Sequence, residues 1–298
     1  MTRCLAMLVS VAIGATIGCA ATPPAAAPTL QSNRGTFTSA HGTRDFVVAR
    51  PSGDVARLPL LVVLHGCVQT ADDIARGTRL SEAAARDGFV VLYPEQPATA
   101  NPQRCWNWYV PDQSTRGKGE AALLAEMIDS VARRERVDRQ RIALVGMSAG
   151  AAMAANLAVA YPERFAALAM HSGIAAGAAT DIGSALRVMG QGPPDGDALG
   201  DAALATMGAA ARPIPVIVLH GAADRVVAPA NLRAAVAQWT RINSKAAGAA
   251  APVEQHLFDG VGHAWSGGSA AGSFTAPTGP DATGLILAFF RRGGVIGR

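Results

Sequence analysis

Residues 142–145 form a short apolar run that leads straight into Gly146-Met147-Ser148-Ala149-Gly150, and an alanine-rich helical pattern starts at Ala151. A G-x-S-x-G run is common on its own. Its position between a strand pattern and a helix pattern makes it constraining. A serine on such an elbow sits on a strained turn with its hydroxyl projecting. The residues two before and two after it must then be very small, as Gly146 and Gly150 are. The following helix would aim its N-terminus at Ser148, where negative charge develops if the hydroxyl attacks a carbonyl.

The rest of the chain supplies the frame that an elbow needs. Of 298 residues, 50% are hydrophobic and 16% charged, which suits one large α/β domain better than two small ones. Strand patterns are expected at 36–40, 45–50, 60–64, 89–93, 142–145, 165–170, 215–219 and 253–258. Helix patterns are expected at 71–86, 119–134, after Ser148, at 229–242 and at 281–291. The run at 60–64 is continuously apolar, as in a strand buried on both faces. This alternation implies a mostly parallel sheet with helices on both faces. Residues 173–212, rich in Ala, Gly and Pro, read as an irregular, short cap or loop region, too polar for a large apolar lid. Net charge is +4. The basic cluster at Arg133, Arg134, Arg136, Arg139 and Arg141 reads as a solvated helix end, so no nucleic-acid partner is expected.

Arg3 and the apolar stretch 5–17 have the form of a signal peptide over residues 1–19, too short to span a bilayer. Two cleavage readings stay open. Thr16-Ile17-Gly18-Cys19 resembles a lipoprotein box, which would lipidate Cys19 and tether the protein to a membrane. Ordinary signal peptidase cleavage would fall within 20–27. Residues 20–32 read as an Ala/Pro-rich linker, and 33–298 as the catalytic domain. Either route places the protein outside the cytoplasm, as a secreted, extracellular or periplasmic protein. Cys67 and Cys105 are then the cysteines of the mature fold. In an oxidising compartment they are expected to pair, the alternative being two buried thiols. Neither has a second ligand at zinc spacing, so no metal is expected.

A serine nucleophile needs a base, and the base needs an orienting carboxylate, in the chain order Ser, Asp or Glu, His. The 215–219 strand runs into His220-Gly221-Ala222-Ala223-Asp224, which makes Asp224 the expected acid. The last strand runs into Gly260-Val261-Gly262-His263, which makes His263 the expected base. Asp181, Asp195 and Asp201 lie in the irregular stretch. His65 and His220 end core strands as Leu-His-Gly, where a ring holds a loop by hydrogen bonding, and His171 reads as structural. Backbone N–H groups of Ala149 and Cys67 are the expected oxyanion donors. In Cys105-Trp106-Asn107-Trp108-Tyr109, three residues are aromatic in a chain that is 5% aromatic. Trp106 and Trp108 are therefore candidates for an apolar substrate platform, with Trp265 as a further wall.

Several stretches together resemble one family. They are Leu64-His65-Gly66-Cys67-Val68-Gln69, Tyr93-Pro94, Cys105-Trp106-Asn107-Trp108, Val137-Asp138, Gly146-Met147-Ser148-Ala149-Gly150 with Met153, Tyr161-Pro162, His171-Ser172-Gly173 and Gly262-His263-Ala264-Trp265. The combination is similar to the secreted polyhydroxybutyrate depolymerase esterases, within the feruloyl and acetyl-xylan esterase group of α/β-hydrolases. The resemblance implies an α/β-hydrolase fold, a Ser148–Asp224–His263 triad and hydrolysis of short-chain hydroxyalkanoate esters without a cofactor. Feruloyl or acetyl-xylan esters are the alternative substrates. An acyltransferase or a polyaspartate hydrolase would use the same triad. Depolymerases that attack solid polymer usually carry a binding domain after the catalytic one. None is expected after the 281–291 helix, which argues against attack on crystalline polyester and leaves soluble oligomers, amorphous polymer, or feruloyl and acetyl esters open.

Overall fold

The structure, a computed structural model, describes residues 29–53 and 57–297. The targeting segment 1–19, with Cys19, and most of the expected linker lie outside the described residues. The linker expectation needs one correction. Strand β1 (Leu30–Ser39) begins inside it and pairs antiparallel along its whole length with β2 (Gly42–Pro51). β1 starts six residues before the expected 36–40 and ends one residue short of it, and β2 extends beyond the expected 45–50 at both ends.

The parallel core follows. Strand β3 (Leu60–Leu64) leads to α1 (Ala71–Thr78), α2 (Leu80–Asp87), β4 (Val90–Pro94), the single turn α3 (Pro111–Ser114) and α4 (Gly119–Arg134). Next come β5 (Ile142–Met147), α5 (Ala149–Ala160), β6 (Ala167–His171), α6 (Ile182–Gln191), α7 (Gly196–Met207) and β7 (Val216–Gly221). The chain closes with α8 (Ala230–Lys245), β8 (Val253–Phe258), the short pair β9 (Trp265–Ser266) and β10 (Thr275–Ala276), and α9 (Ala282–Arg292). The eight-stranded sheet has the order β1-β2-β4-β3-β5-β6-β7-β8. From β4 to β8 every neighbouring pair is parallel, and β2 joins β4 antiparallel.

Strand alternation divides the apolar side chains between two cores. Leu60, Val62 and Leu64 face a core built with α4, α5 and α8. Leu61 and Val63 face the opposite core, built with α1, α2 and α9. Helix α5 is buried along its whole length and apolar except for Asn156, as suits a helix wedged between sheet and cap. These layers carry the loops at the carboxyl ends of β3, β5, β7 and β8 to one edge, where ligands bind in open α/β sheets.

Two expectations are corrected. The helix expected at 71–86 is broken at Arg79, which sits at φ 55°. Tertiary donors take the carbonyls that a continuous helix would use: Ser269 N–H donates to Gly77 O at 2.8 Å, and Thr283 Oγ1 to Thr78 O at 2.7 Å. The stretch expected to be irregular contains two helices. Asp181 caps α6 in a reciprocal box with Ser184, and Asp195 caps α7. On α6, Ile182, Ala185, Leu186 and Met189 recur at i, i+3, i+4 and i+7 and form an apolar face on the cap.

Candidate active site

The elbow is built by contact. Ser148 adopts φ 55°, ψ −123°, outside the regions that ordinary residues favour. Its N–H donates to His171 O at 2.9 Å, so the strained residue remains stitched to β6. A Cβ on Gly146 would lie 2.5 Å from Ala151 N, and one on Gly150 would lie 2.1 Å from Leu64 O. Both glycines are small because α5 starts directly against β5 and β3.

The structure brings Ser148, His263 and Asp224 together from three separate loops. His263 Nε2 lies 2.9 Å from Ser148 Oγ, placed to receive the hydroxyl proton. His263 Nδ1–H donates to Asp224 Oδ2 at 2.7 Å. The other carboxylate oxygen accepts from Val226 N–H and Val227 N–H, each at 2.9 Å. His220 Nε2 is 3.4 Å from Asp224 Oδ2 and donates to Val227 O at 2.8 Å. Burial opposes ionisation of Asp224. The hydrogen bonds from His220, His263 and Val227 outweigh it and hold the carboxyl below the usual carboxylate range. An ionised Asp224 fixes the ring of His263 with Nε2 free to face the serine.

Ser148 opens onto a cleft of about 440 Å³. Cys67 and Ala149 lie in its lining beside the serine. Cys67 is joined to Cys105 by a disulfide, and Val68 N–H donates to Gln103 O at 2.7 Å. The loop after β3 is thereby doubly tied to the Cys105 segment. Trp108 and Tyr109, packed edge to face at 5.5 Å, form one wall of the cleft. Ile182, Leu186 and Met189 of α6 form the facing wall. Among the described residues that line the cleft, none carries a formal charge.

Two of the three candidate substrate tryptophans are corrected. Trp106 is completely buried, packed against the His65 ring at 5.5 Å, and does not line the cleft. The segment is not a strand, and of the two rings only that of Trp108 reaches the cleft. Trp265 is also buried, stacked on His171 at 5.0 Å with its indole N–H donating to Thr283 Oγ1. The histidines expected to be structural are in hydrogen bonds away from the serine. His65 Nε2 accepts from Gln96 N–H at 3.0 Å, and His171 Nε2 from Ser266 N–H at 3.2 Å. Burial lowers their pKa values to about 4 and about 3.

Other residues that support the site carried no functional reading in the sequence. Buried Glu120 of α4 accepts from Asn107 N–H at 2.8 Å and Asn107 Nδ2 at 2.7 Å, with Arg44 at 3.3 Å. This charge-assisted set anchors the turn that presents Trp108. Asn156 of α5 donates to Trp108 O at 2.9 Å from the other side. The signal for Asn107 was its place between two tryptophans. Glu120 gave none, since one acid at the start of an amphipathic helix is ordinary.

The family described as esterase PHB depolymerase matches residues 45–259. The chain belongs to that family. Its fold is that of the α/β-hydrolases, as the resemblance implied. Among curated relatives, poly(3-hydroxyalkanoate) depolymerase C of Paucimonas lemoignei is 38% identical over 64% of this chain and 46% of the relative. Feruloyl esterase B of Thermothelomyces thermophilus is 31% identical over 62% of this chain and 65% of the relative. Acetylxylan esterase A of Emericella nidulans is 29% identical over 66% of each. The chain thus spans less than two thirds of the length of these relatives. Among solved structures, an acetyl xylan esterase from Aspergillus awamori superposes with a TM-score of 0.69 at 19% identity, covering 87% of this chain and 98% of that one. At that identity the likeness concerns the fold.

Proposed function

We propose that this esterase-family protein is a secreted serine hydrolase that cleaves short-chain hydroxyalkanoate esters through an acyl-enzyme. The observation that carries the reading is the hydrogen-bonded line Ser148–His263–Asp224, opening on an uncharged, largely apolar cleft. Ser148 Oγ attacks the ester carbonyl as His263 Nε2 takes its proton. The Cys67 and Ala149 N–H groups receive the developing oxyanion. The tetrahedral adduct collapses, and His263 returns the proton to the departing alkoxide. Water then attacks the acyl-enzyme, again through His263, and releases the acid and Ser148.

The cleft supports ester substrates with an apolar acyl chain. A polyanion such as polyaspartate would meet no cationic side chain in the described lining, so that reading is disfavoured. An acetyl group alone would leave most of a 440 Å³ cleft unfilled. A second reading, a feruloyl esterase, is supported by the Trp108–Tyr109 wall, where an aromatic acyl group can stack. An acyltransferase would use the same triad, with an acceptor alcohol in place of water.

The test is acid release from a hydroxybutyrate oligomer, amorphous polyhydroxybutyrate, methyl ferulate, acetylated xylan and polyaspartate, with Ser148→Ala in parallel. Serine-dependent release from the hydroxybutyrate substrates supports the proposal. Preferential release from ferulate keeps the mechanism and replaces the substrate. Activity that survives Ser148→Ala overturns the mechanism.

A further inference from the structure

We propose that Gln69, with Asp73 and Ser273, forms a positioning cluster that holds the Cys67 amide in register with the loop carrying His263. The proposal rests on the serine-hydrolase reading and extends it to residues that touch neither substrate nor the reacting atoms.

Gln69 is 3% exposed and uses both ends of its amide. Its Oε1 accepts from Gly66 N–H at 2.9 Å, across the turn that holds Cys67. Its Nε2 donates to Asp73 Oδ2 and to Ser273 O, each at 3.1 Å. Asp73 stands on α1 and accepts in turn from Ser273 N–H at 3.1 Å and from the Ser273 hydroxyl. Three segments therefore meet at one amide: the turn after β3, the first turn of α1, and the loop beyond His263.

The third segment connects rigidly to the base. Trp265 N–H donates to Phe274 O at 2.7 Å, and β9 pairs with β10 through Trp265 and Thr275. His263 is two residues before Trp265, and Ser273 is adjacent to Phe274. The turn in question also abuts the nucleophile: a Cβ on Gly66 would lie 3.2 Å from Gln69 Oε1 and 3.4 Å from Ser148 Cβ. A small rotation of the 66–69 turn would therefore move the Cys67 N–H relative to the oxygen that it must meet. Oxyanion stabilisation depends on donors fixed before the charge appears, and it is sensitive to displacements of about 1 Å. The disulfide ties the Cys67 side chain on the other side of this turn. Gln69 ties the backbone.

The experiment compares wild type, Gln69→Leu, Ser273→Ala and the double variant on p-nitrophenyl butyrate. It also measures inhibition by a boronic acid that forms a tetrahedral serine adduct. Gln69→Leu is expected to lower kcat by roughly ten- to a hundred-fold with KM within about two-fold, as for loss of an interaction made only in the transition state. Boronate affinity should fall by a similar factor, because the adduct uses the same amide. Ser273→Ala should act in the same direction by several-fold. The double variant should lose less than the product of the two single losses. Each value is taken per folded molecule, from circular dichroism and melting. Should Gln69→Leu fail to fold, Ser273→Ala decides, since it removes one exposed hydroxyl. Unchanged kcat and boronate affinity overturn the proposal, as does a rise in KM alone. Wild-type hydrolysis that survives Ser148→Ala overturns the underlying serine reading, which is a separate result.

Discussion

A Cβ on Gly150 would lie 2.1 Å from the carbonyl oxygen of Leu64, so α5 and β3 touch backbone to backbone beside the nucleophile. Neither atom can move without shifting the sheet or the start of α5. Gly150→Ala should therefore cost at least about 1–3 kcal/mol as an overpacking change, and more if the elbow is displaced. In contrast, Ala151→Gly, one residue on, introduces no clash and should cost only about 1 kcal/mol in helix propensity together with about 0.8 kcal/mol for the buried methyl that it removes. Denaturant melts of the two variants check the contrast. Equal stability would mean that the close approach is not a constraint.

Asp224 gives the second prediction. Its role is to hold the ring of His263, whose Nδ1–H it accepts at 2.7 Å. Asp224→Asn leaves the shape but offers an N–H where an acceptor was, which favours the wrong tautomer. A loss of roughly 10⁴-fold in kcat is expected, with modest change in KM. Steady-state kinetics on p-nitrophenyl butyrate measure it. A loss below ten-fold would show that Asp224 is not the orienting acid.

The triad was legible because each member follows a strand at a glycine-marked turn: Gly146 before Ser148, Gly221 before Asp224, and Gly262 before His263. Helix α4 and strands β3 and β8 lie at their expected bounds, α4 through its amphipathic pattern and β3 through its unbroken apolar run. The break at Arg79 was not legible, because the donors that take the Gly77 and Thr78 carbonyls come from residues 269 and 283. The α6 face was present in the spacing of Ile182, Ala185, Leu186 and Met189, but the surrounding Gly and Pro content masked it. Trp106 and Trp108 could not be told apart, since composition does not reveal which way a turn aims each ring.

The Cys67–Cys105 link should matter to stability and rate together. Closing a loop of this length constrains the unfolded chain by about 3–4 kcal/mol on the chain-entropy account. Cys105→Ser should lower the unfolding free energy by an amount of that order. It should also lower kcat more than it raises KM, because Cys67 carries the expected oxyanion amide. Val68 remains bound to Gln103, so the loss of rate should be partial. Urea unfolding and kinetics on the same preparation test both. A pure stability loss with unchanged kcat would separate the disulfide from the oxyanion turn.

Acid should weaken the fold in two steps. Burial depresses His65 to about 4 and His171 to about 3, against 6.5 for an unhindered histidine. Below about pH 6.5 the unfolded chain binds protons at these positions and the folded chain does not, so stability falls from there toward pH 4 and below. Asp224, held below the usual carboxylate range, adds to the loss once the pH drops below about 4. The melting temperature should therefore decline from pH 7 to pH 4. His171→Asn should flatten part of that slope. A slope that is the same in the variant would mean that His171 does not carry the loss.

Trp106 and Trp108 are both buried, so both truncations should cost stability, but only Trp108, which lines the cleft, should change specificity. Trp106 is fully buried against His65, so Trp106→Ala removes packing and should cost about 3–5 kcal/mol of stability. Its effect on KM, per folded molecule, should be small. Trp108 lines the cleft while its carbonyl is held by Asn156, so the backbone position survives truncation of the ring. Trp108→Ala should raise KM for a hydroxybutyrate trimer or methyl ferulate by roughly ten-fold, about 1.4 kcal/mol. For p-nitrophenyl acetate, whose acyl group is too short to reach the wall, KM should change little. Leu186→Ser, on the facing wall, should follow Trp108 if both contact the acyl chain. If Trp108→Ala left every KM unchanged, the acyl chain would have to run along α6 alone, and the aromatic wall would be packing rather than recognition.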